Sequence, residues 1–228
     1  VSASKFQKEI DLIISNAIRE DVGDGDHSSL ACIPEDATGS AQLLVKEAGC
    51  IAGINFAKQV FDFVDYTLEV IPHFNDGDAV VVGDVALTVK GHSQSILKAE
   101  RLVLNAMQRM SAIATKTQKY KALIADTKTQ LLDTRKTTPG LRALEKWAVQ
   151  IGGGVNHRIG LYDMVMIKDN HIAAAGGICE AIDAAVNYLD LNGWRNEIRI
   201  EIETSTLDEV KLACNYGKNK IHRIKRKH

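Results

Sequence analysis

The sequence predicts a mixed α/β and α+β chain: a leading helix, a small α+β domain, then a parallel sheet alternating with helices. Three observations carry this. Between Ser40 and His92, short runs rich in Val, Leu and Ile are separated by the turn signals Asn75-Asp76-Gly77 and Gly83-Asp84, as in a largely antiparallel sheet. After about residue 128 the pattern becomes strand, charged junction, helix, repeated about four times. Each of those strands ends in polar residues, the layout of an α/β barrel, whose sites gather at that rim. An open doubly wound sheet also places ligands at strand carboxyl ends, but no Gly-x-Gly-x-x-Gly follows any of these strands.

In chain order, Ser4 followed by Gln7 reads as a capping box, and Phe6, Ile10, Ile13, Ile14, Ala17 and Ile18 form one apolar helical face. The Asp-rich stretch from Glu20 to Ser29 lacks the glycine and final glutamate of an EF-hand at the required spacing, so it reads as a polar turn capping a helix. Strands are expected at 41–46, 66–71, 79–82 and 85–90, with a helix at 55–64 between them. Ser93 begins a helix running well beyond Met107. Arg101, Asn105, Gln108 and Ala112 share one stripe of it, which faces either water or a polar cavity. The later strands fall at 130–133, 163–167 and 198–202, with another starting at 219–224, and the helices at 141–151, 177–189 and 206–216. The domains divide as 1–110 and 111–228.

Composition narrows the function. With 28 basic and 29 acidic residues among 228, the net charge of −1 supplies no basic field for nucleic acid. No apolar run approaches the roughly 20 residues of a membrane helix, and the start of the chain has no signal pattern, so a cytoplasmic protein is expected. Cys32, Cys50, Cys179 and Cys214 are scattered without a Cys-x-x-Cys, which favours reduced, buried thiols over disulfides or zinc. No Ser-His-Asp or Cys-His signature, histidine-rich metal cage or Walker-type loop is present.

The chemistry centres on Leu131-Leu132-Asp133-Thr134-Arg135-Lys136-Thr137-Thr138-Pro139-Gly140-Leu141-Arg142, an apolar run expected as a buried strand that stops in two adjacent cations. Arg135, Lys136, His157, Arg158, Lys168 and Glu203 are the site candidates, with weaker cases for Arg142 and Arg101. Several cations at one rim of a nearly neutral protein repel one another unless a polyanion occupies it. Arginine forks grip carboxylate or phosphate at two points, and lysine acts as a point charge. Each residue also has a structural reading: Arg135 with Asp133 and Lys168 with Asp169 as local ion pairs, His157 as a surface histidine, Gly152-Gly153-Gly154 as a flexible turn.

The segments Asp133–Arg142, Gly152-Gly153-Gly154-Val155-Asn156-His157-Arg158 and Met166-Ile167-Lys168-Asp169-Asn170-His171 resemble the quinolinate phosphoribosyltransferases, or nicotinate-nucleotide pyrophosphorylases (carboxylating). Glu20–Asp26, Ala99–Leu102 with Leu104-Asn105, and Ile200–Thr204 support the likeness, which runs in order from about residue 6 to about 217. The resemblance implies an N-terminal α/β sandwich domain followed by an incomplete α/β barrel, paired as a homodimer. It implies transfer of phosphoribose from phosphoribosyl pyrophosphate to quinolinate, with Mg2+ carried mainly by that donor and no metal ligand from the protein. The products would be nicotinate mononucleotide, CO2 and pyrophosphate, in de novo NAD synthesis. By motif, Arg135, His157, Arg158 and Lys168 bind the two quinolinate carboxylates. Lys136 and Glu203 serve the phosphoribosyl part, Thr134 joins the substrate-binding set, and Arg101 reaches into the partner subunit's site. Lys136, Lys168 and Glu203 form the catalytic set.

After Gly217 the likeness fades, and the chain reads as truncated at its C-terminus: the family's Leu-Asp-Asn motif and later glycine-rich segments are expected beyond Lys225-Arg226-Lys227-His228. Two alternatives follow. One is a non-catalytic remnant, with little or no activity, that binds carboxylates or a partner chain. The other is a molybdenum-associated paralogue of the same fold, against which the intact Thr134–Gly140 and His157-Arg158 argue.

Overall fold

The structure, a computed structural model, describes residues 6–226 and divides into two compact units, Val1–His157 and Arg158–His228. The first unit opens with α1 (Gln7–Val22), which buries Ile10 and Ile14; Ser4 of the expected capping box lies outside the described residues, and Phe6 occupies the N-cap without a side-chain hydrogen bond. The Asp-rich turn leads into a short helix that sequence periodicity misses, α2 (His27–Cys32). Asp26 caps it, accepting from Ser29 N at 3.1 Å and Ser29 Oγ at 2.5 Å, and the Ser29 hydroxyl holds the Asp26 carboxyl below the usual carboxylate range.

The strands that follow are β1 (Thr38–Leu44), β2 (Gly49–Cys50), β3 (Glu69–Pro72), β4 (Ala79–Val80) and β5 (Val85–His92), with α3 (Ile54–Val64) between β2 and β3. The order β1-β5-β3 is antiparallel throughout, and β2 pairs antiparallel with β4. The turn aspartate Asp76 caps α3 from a distance, accepting from Gly53 N at 2.6 Å and Ile54 N at 2.9 Å. One unbroken helix, α4 (Ser93–Ala122), then runs for 30 residues, so the expected domain division at 110/111 falls inside it. In α5 (Arg142–Ile151), Ala143 to Ala148 are buried without interruption.

Residues 130–133 do not form the expected buried strand. The structure has a single parallel bridge there, Leu132 to Val155, and Leu132 remains 38 % exposed. An apolar run becomes a buried strand only when neighbours cover both faces, and within its own unit this run has the Val155 segment alone as a backbone partner.

The second unit contains β6 (Met164–Ile167), α6 (Asp169–Ala175), α7 (Ile178–Leu191), β7 (Arg199–Thr204), α8 (Leu207–Tyr216) and β8 (Arg223–Arg226). The strands pair parallel in the order β6-β7-β8, an open sheet and not a closed barrel. The junction expected after β6 coils at once into α6, where Lys168 N donates to His171 Nδ1 at 3.0 Å. Ile167, Ile200 and Ile202 pack with Ile178, Ile182 and Leu189 of α7 and Ala213 of α8. Because strand side chains alternate, Met164, Met166, Lys168, Glu201 and Glu203 fall on the opposite face of the sheet.

His222 extends the β7–β8 pairing with its ring: Nδ1 accepts from Ile200 N at 3.0 Å, while His222 N donates to Ile200 O at 2.8 Å. Burial of that ring edge, then the charges of Arg195 and Arg199, hold its pKa below the ordinary histidine value. A depressed histidine pKa means the unfolded chain binds the proton more readily. The contribution to stability is therefore full above the ordinary histidine value and is lost as pH falls through the folded one. The expected outcome is a flatter decline of urea-unfolding free energy with falling pH in His222→Asn than in the unaltered chain. An equally steep decline in both excludes His222 as the cause.

Among the described residues no single helix is long and apolar enough to cross a membrane. All four cysteines are unpaired, and Cys50 is buried, but Cys32 and Cys214 are exposed, contrary to expectation.

Candidate functional site

In the first unit the candidates are organised by Asp133. Its carboxylate accepts from Lys146 Nζ at 2.5 Å, from His157 N at 2.8 Å and, through the second oxygen, from Asn156 Nδ2 at 2.7 Å. Lys146 is 1 % exposed and Asp133 7 %, so this is a buried ion pair. Asp133 thus pairs with Lys146, not with Arg135 as the sequence allowed. Sequence reading missed Lys146 altogether, because Arg142, Glu145 and Lys146 form a polar side of α5 that reads as solvated, whereas Glu145 and Lys146 are buried.

The loop from Thr134 to Leu141 is laced at both ends. Thr134 Oγ1 accepts from Lys136 N at 3.0 Å, and Arg142 Nε donates to Thr137 Oγ1 at 3.0 Å. Glu145 accepts from Thr138 N at 3.3 Å through one oxygen, and Arg109 of α4 donates to both Glu145 and Thr138 Oγ1. Gly140, at φ +80°, supplies the left-handed turn into α5. Within this frame Lys136 and Thr134 are exposed, whereas Arg135 is half-buried with an Nε that has no hydrogen-bond partner.

Gly152 is a close-approach glycine: a Cβ there would lie 2.5 Å from Ala114 O and 2.7 Å from Thr117 Cβ of α4. The glycine run thus carries the chain from α5 past α4 to Asn156 and His157. Arg101 is exposed on α4, while Asn105, Gln108 and Ala112 line a groove of about 600 Å³ together with Ile13, Leu102 and Leu144. The stripe splits accordingly, with Arg101 in solvent and the rest on a largely apolar cleft.

In the second unit Arg158 is buried, and its Nη1 donates to Met164 O at 3.5 Å at the start of β6. Ile167 is in register with Ile202, so Lys168 and Glu203 follow one step on at the carboxyl ends of neighbouring strands. Parity with Glu203 places Glu201, 1 % exposed and missed from the sequence, on the same face. Both glutamates are paired in register across to β8: Glu201 with Arg223 at 3.2 Å and Glu203 with Lys225 at 2.8 Å. Thr134, Arg135, Lys136 and His157 therefore group around Asp133, and Lys168 and Glu203 at one end of the parallel sheet.

Family comparison matches residues 26–111 to the quinolinate phosphoribosyl transferase N-terminal domain and residues 113–222 to its C-terminal domain. The chain is 48 % identical over 208 residues to "Quinolinate phosphoribosyltransferase [decarboxylating] 2b, mitochondrial" of Nicotiana tabacum, covering 90 % of this chain and 58 % of that protein. The chain thus spans little more than half the length of this relative. Among solved structures, NadC from Streptococcus pyogenes matches with a TM-score of 0.86 at 35 % identity, over 98 % of this chain and 75 % of that one. The nicotinate-nucleotide pyrophosphorylase from Francisella tularensis matches with a TM-score of 0.81 at 32 % identity, over 99 % and 84 %.

Proposed function

The chain belongs to the quinolinate phosphoribosyltransferase family, and from that premise we propose that it carries the quinolinate-gripping part of an enzyme that transfers phosphoribose from phosphoribosyl pyrophosphate to quinolinate. One observation carries this reading: Lys146 and Arg109 are paired with carboxylates, whereas Arg135 keeps a buried Nε without a partner. An unsatisfied buried donor on a guanidinium fits a ligand carboxylate, which accepts in two-point geometry.

By the family's motifs, Arg135 and His157 of the first unit and Arg158 and Lys168 of the second are assigned to the two carboxylates of quinolinate, and Thr134 to substrate binding. A dicarboxylate fixed in this way presents its ring nitrogen to the anomeric carbon of the donor, an entropic gain that needs no protein nucleophile. The nitrogen–carbon bond forms as the bond to pyrophosphate breaks. Lys136 meets the phosphoribosyl part, and Glu203 offsets positive charge developing on the sugar or orients its hydroxyls. Loss of CO2 then leaves an electron pair on the ring carbon, which the adjacent cationic nitrogen stabilises until that pair takes up a proton from solvent. Among the described residues no three His, Cys, Asp or Glu side chains converge as a metal cage. In this reading the donor, not this chain, would carry Mg2+, whose chemistry would be to neutralise charge on the departing pyrophosphate. Arg101, exposed on α4, is the group that would reach a partner subunit of a homodimer. Nucleic acid and membrane have no part in this reading, and a cytoplasmic setting suits its soluble substrates.

The reaction is tested by incubating the chain, alone and extended with the C-terminal segment of a relative, with quinolinate, phosphoribosyl pyrophosphate and Mg2+. Nicotinate mononucleotide, pyrophosphate and CO2 in equal amounts are the expected products, and none from the extended chain contradicts the assignment.

A second reading, carboxylate binding without turnover, is favoured by the Lys225–Glu203 ion pair, which engages the carboxylate assigned to the sugar. If that pair restrains catalysis, Lys225→Met raises product formation about tenfold, and Glu203→Gln in the same background removes the gain. A rate unchanged by Lys225→Met argues against the restraint.

A further inference from the structure

Resting on the functional reading above, we propose that Asp133, Lys146 and Asn156 are positioning residues: a buried polar triad that fixes the arginine-bearing strand end and the His157 segment to one another. Their donors bind within the set, and only Asn156 Oδ1 is left buried without a partner. Asp133 binds Lys146 Nζ, Asn156 Nδ2 and His157 N, and Asn156 Nδ2 also donates to Lys146 O at 2.8 Å. Lys146 Nζ approaches His157 O at 3.4 Å, so the His157 backbone is gripped at its N–H and, more weakly, at its C=O.

Three segments meet there, each fixed by a different member. Asp133 stands two residues before Arg135, Lys146 lies mid-way along α5, and Asn156 precedes His157. Packing gives no reason for charge at this point. A buried ion pair costs desolvation free energy, and apolar residues of similar volume commonly replace such pairs without loss of stability. The single bridge between Leu132 and Val155 is too short a ladder to hold the two segments in register by itself. The triad supplies the missing constraint, and its directional bonds set spacing as apolar contacts do not.

The test separates stability from positioning. Lys146→Met keeps the shape and removes the charge; adding Asp133→Asn removes the stranded carboxylate and restores stability in urea. The triad is supported if quinolinate affinity, measured by calorimetry on folded protein, falls at least about tenfold in Lys146→Met and stays low in the double variant. Affinity that recovers together with stability, or never falls, overturns it. Amide hydrogen exchange on the ligand-free chain gives a second readout, with faster exchange expected at Asp133 and His157 together in Lys146→Met. Should the unaltered chain bind no quinolinate, the functional reading fails and exchange decides alone: native protection at both amides in Lys146→Met overturns the triad.

Discussion

Replacing Arg135 with alanine is expected to lower quinolinate affinity about 10²-fold while leaving the urea midpoint nearly unchanged. The size follows from the loss of a two-point, charge-assisted contact, roughly 1.5–3 kcal/mol for hydrogen bonds of this kind. Stability changes little because Arg135 Nε has no protein partner to lose. Arg135→Lys recovers only part of the affinity, since an ammonium keeps the charge but not the planar fork. Calorimetric titration of the three proteins checks the order. An alanine variant that binds as well as the parent removes Arg135 from the site.

The largest expected loss of stability comes from Asp133→Ala. Lys146 is 1 % exposed, and without the carboxylate its ammonium is left buried and unpaired. Breaking a buried pair from one side costs about 3–5 kcal/mol, most of it the penalty of the stranded charge. For a chain of this size that corresponds to a melting point lowered by ~10 °C. Adding Lys146→Met to Asp133→Ala removes the stranded ammonium and is expected to recover most of the loss. Thermal melts of the single and double variants measure both numbers. A single-variant loss below about 1 kcal/mol means that the ammonium finds water or another acceptor.

Most elements were legible because their signals are local. The expected strand at 85–90 appears as β5 and the helix at 55–64 as α3, where apolar periodicity and turn aspartates act over a few residues. Residues 130–133 show the limit. Leu131 and Leu132 have the composition of a buried strand, but burial depends on neighbours distant in sequence, and the structure has only the Val155 bridge. The candidate site divides in the same way. Arg135, Lys136, His157, Lys168 and Glu203 stood out because cations and a carboxylate at strand ends are unusual. Lys146 and Glu145 did not, because charged residues within a helix read as a solvated face, and here that face is turned inward. Glu201 was legible in principle: it lies two residues before Glu203 in one strand and so must share its face.

Parity also explains the pairing on that face. Glu201 and Glu203 lie side by side on β7, and β8 answers with Arg223 and Lys225 in register, so neither carboxylate on this side of the sheet lacks a cation. In the first unit the buried charges Lys146 and Glu145 are paired, whereas Arg135 Nε has no partner. That contrast is the ground on which the Arg135 end is proposed as the place for a ligand anion.

The most direct test of this account is a calorimetric titration of the chain with quinolinate and, in parallel, with nicotinate, which lacks the second carboxylate. Quinolinate is expected to bind saturably and at least about tenfold more tightly than nicotinate, the worth of one charge-assisted contact. Equal affinities for the two acids, or no binding of quinolinate by the folded chain, would contradict it.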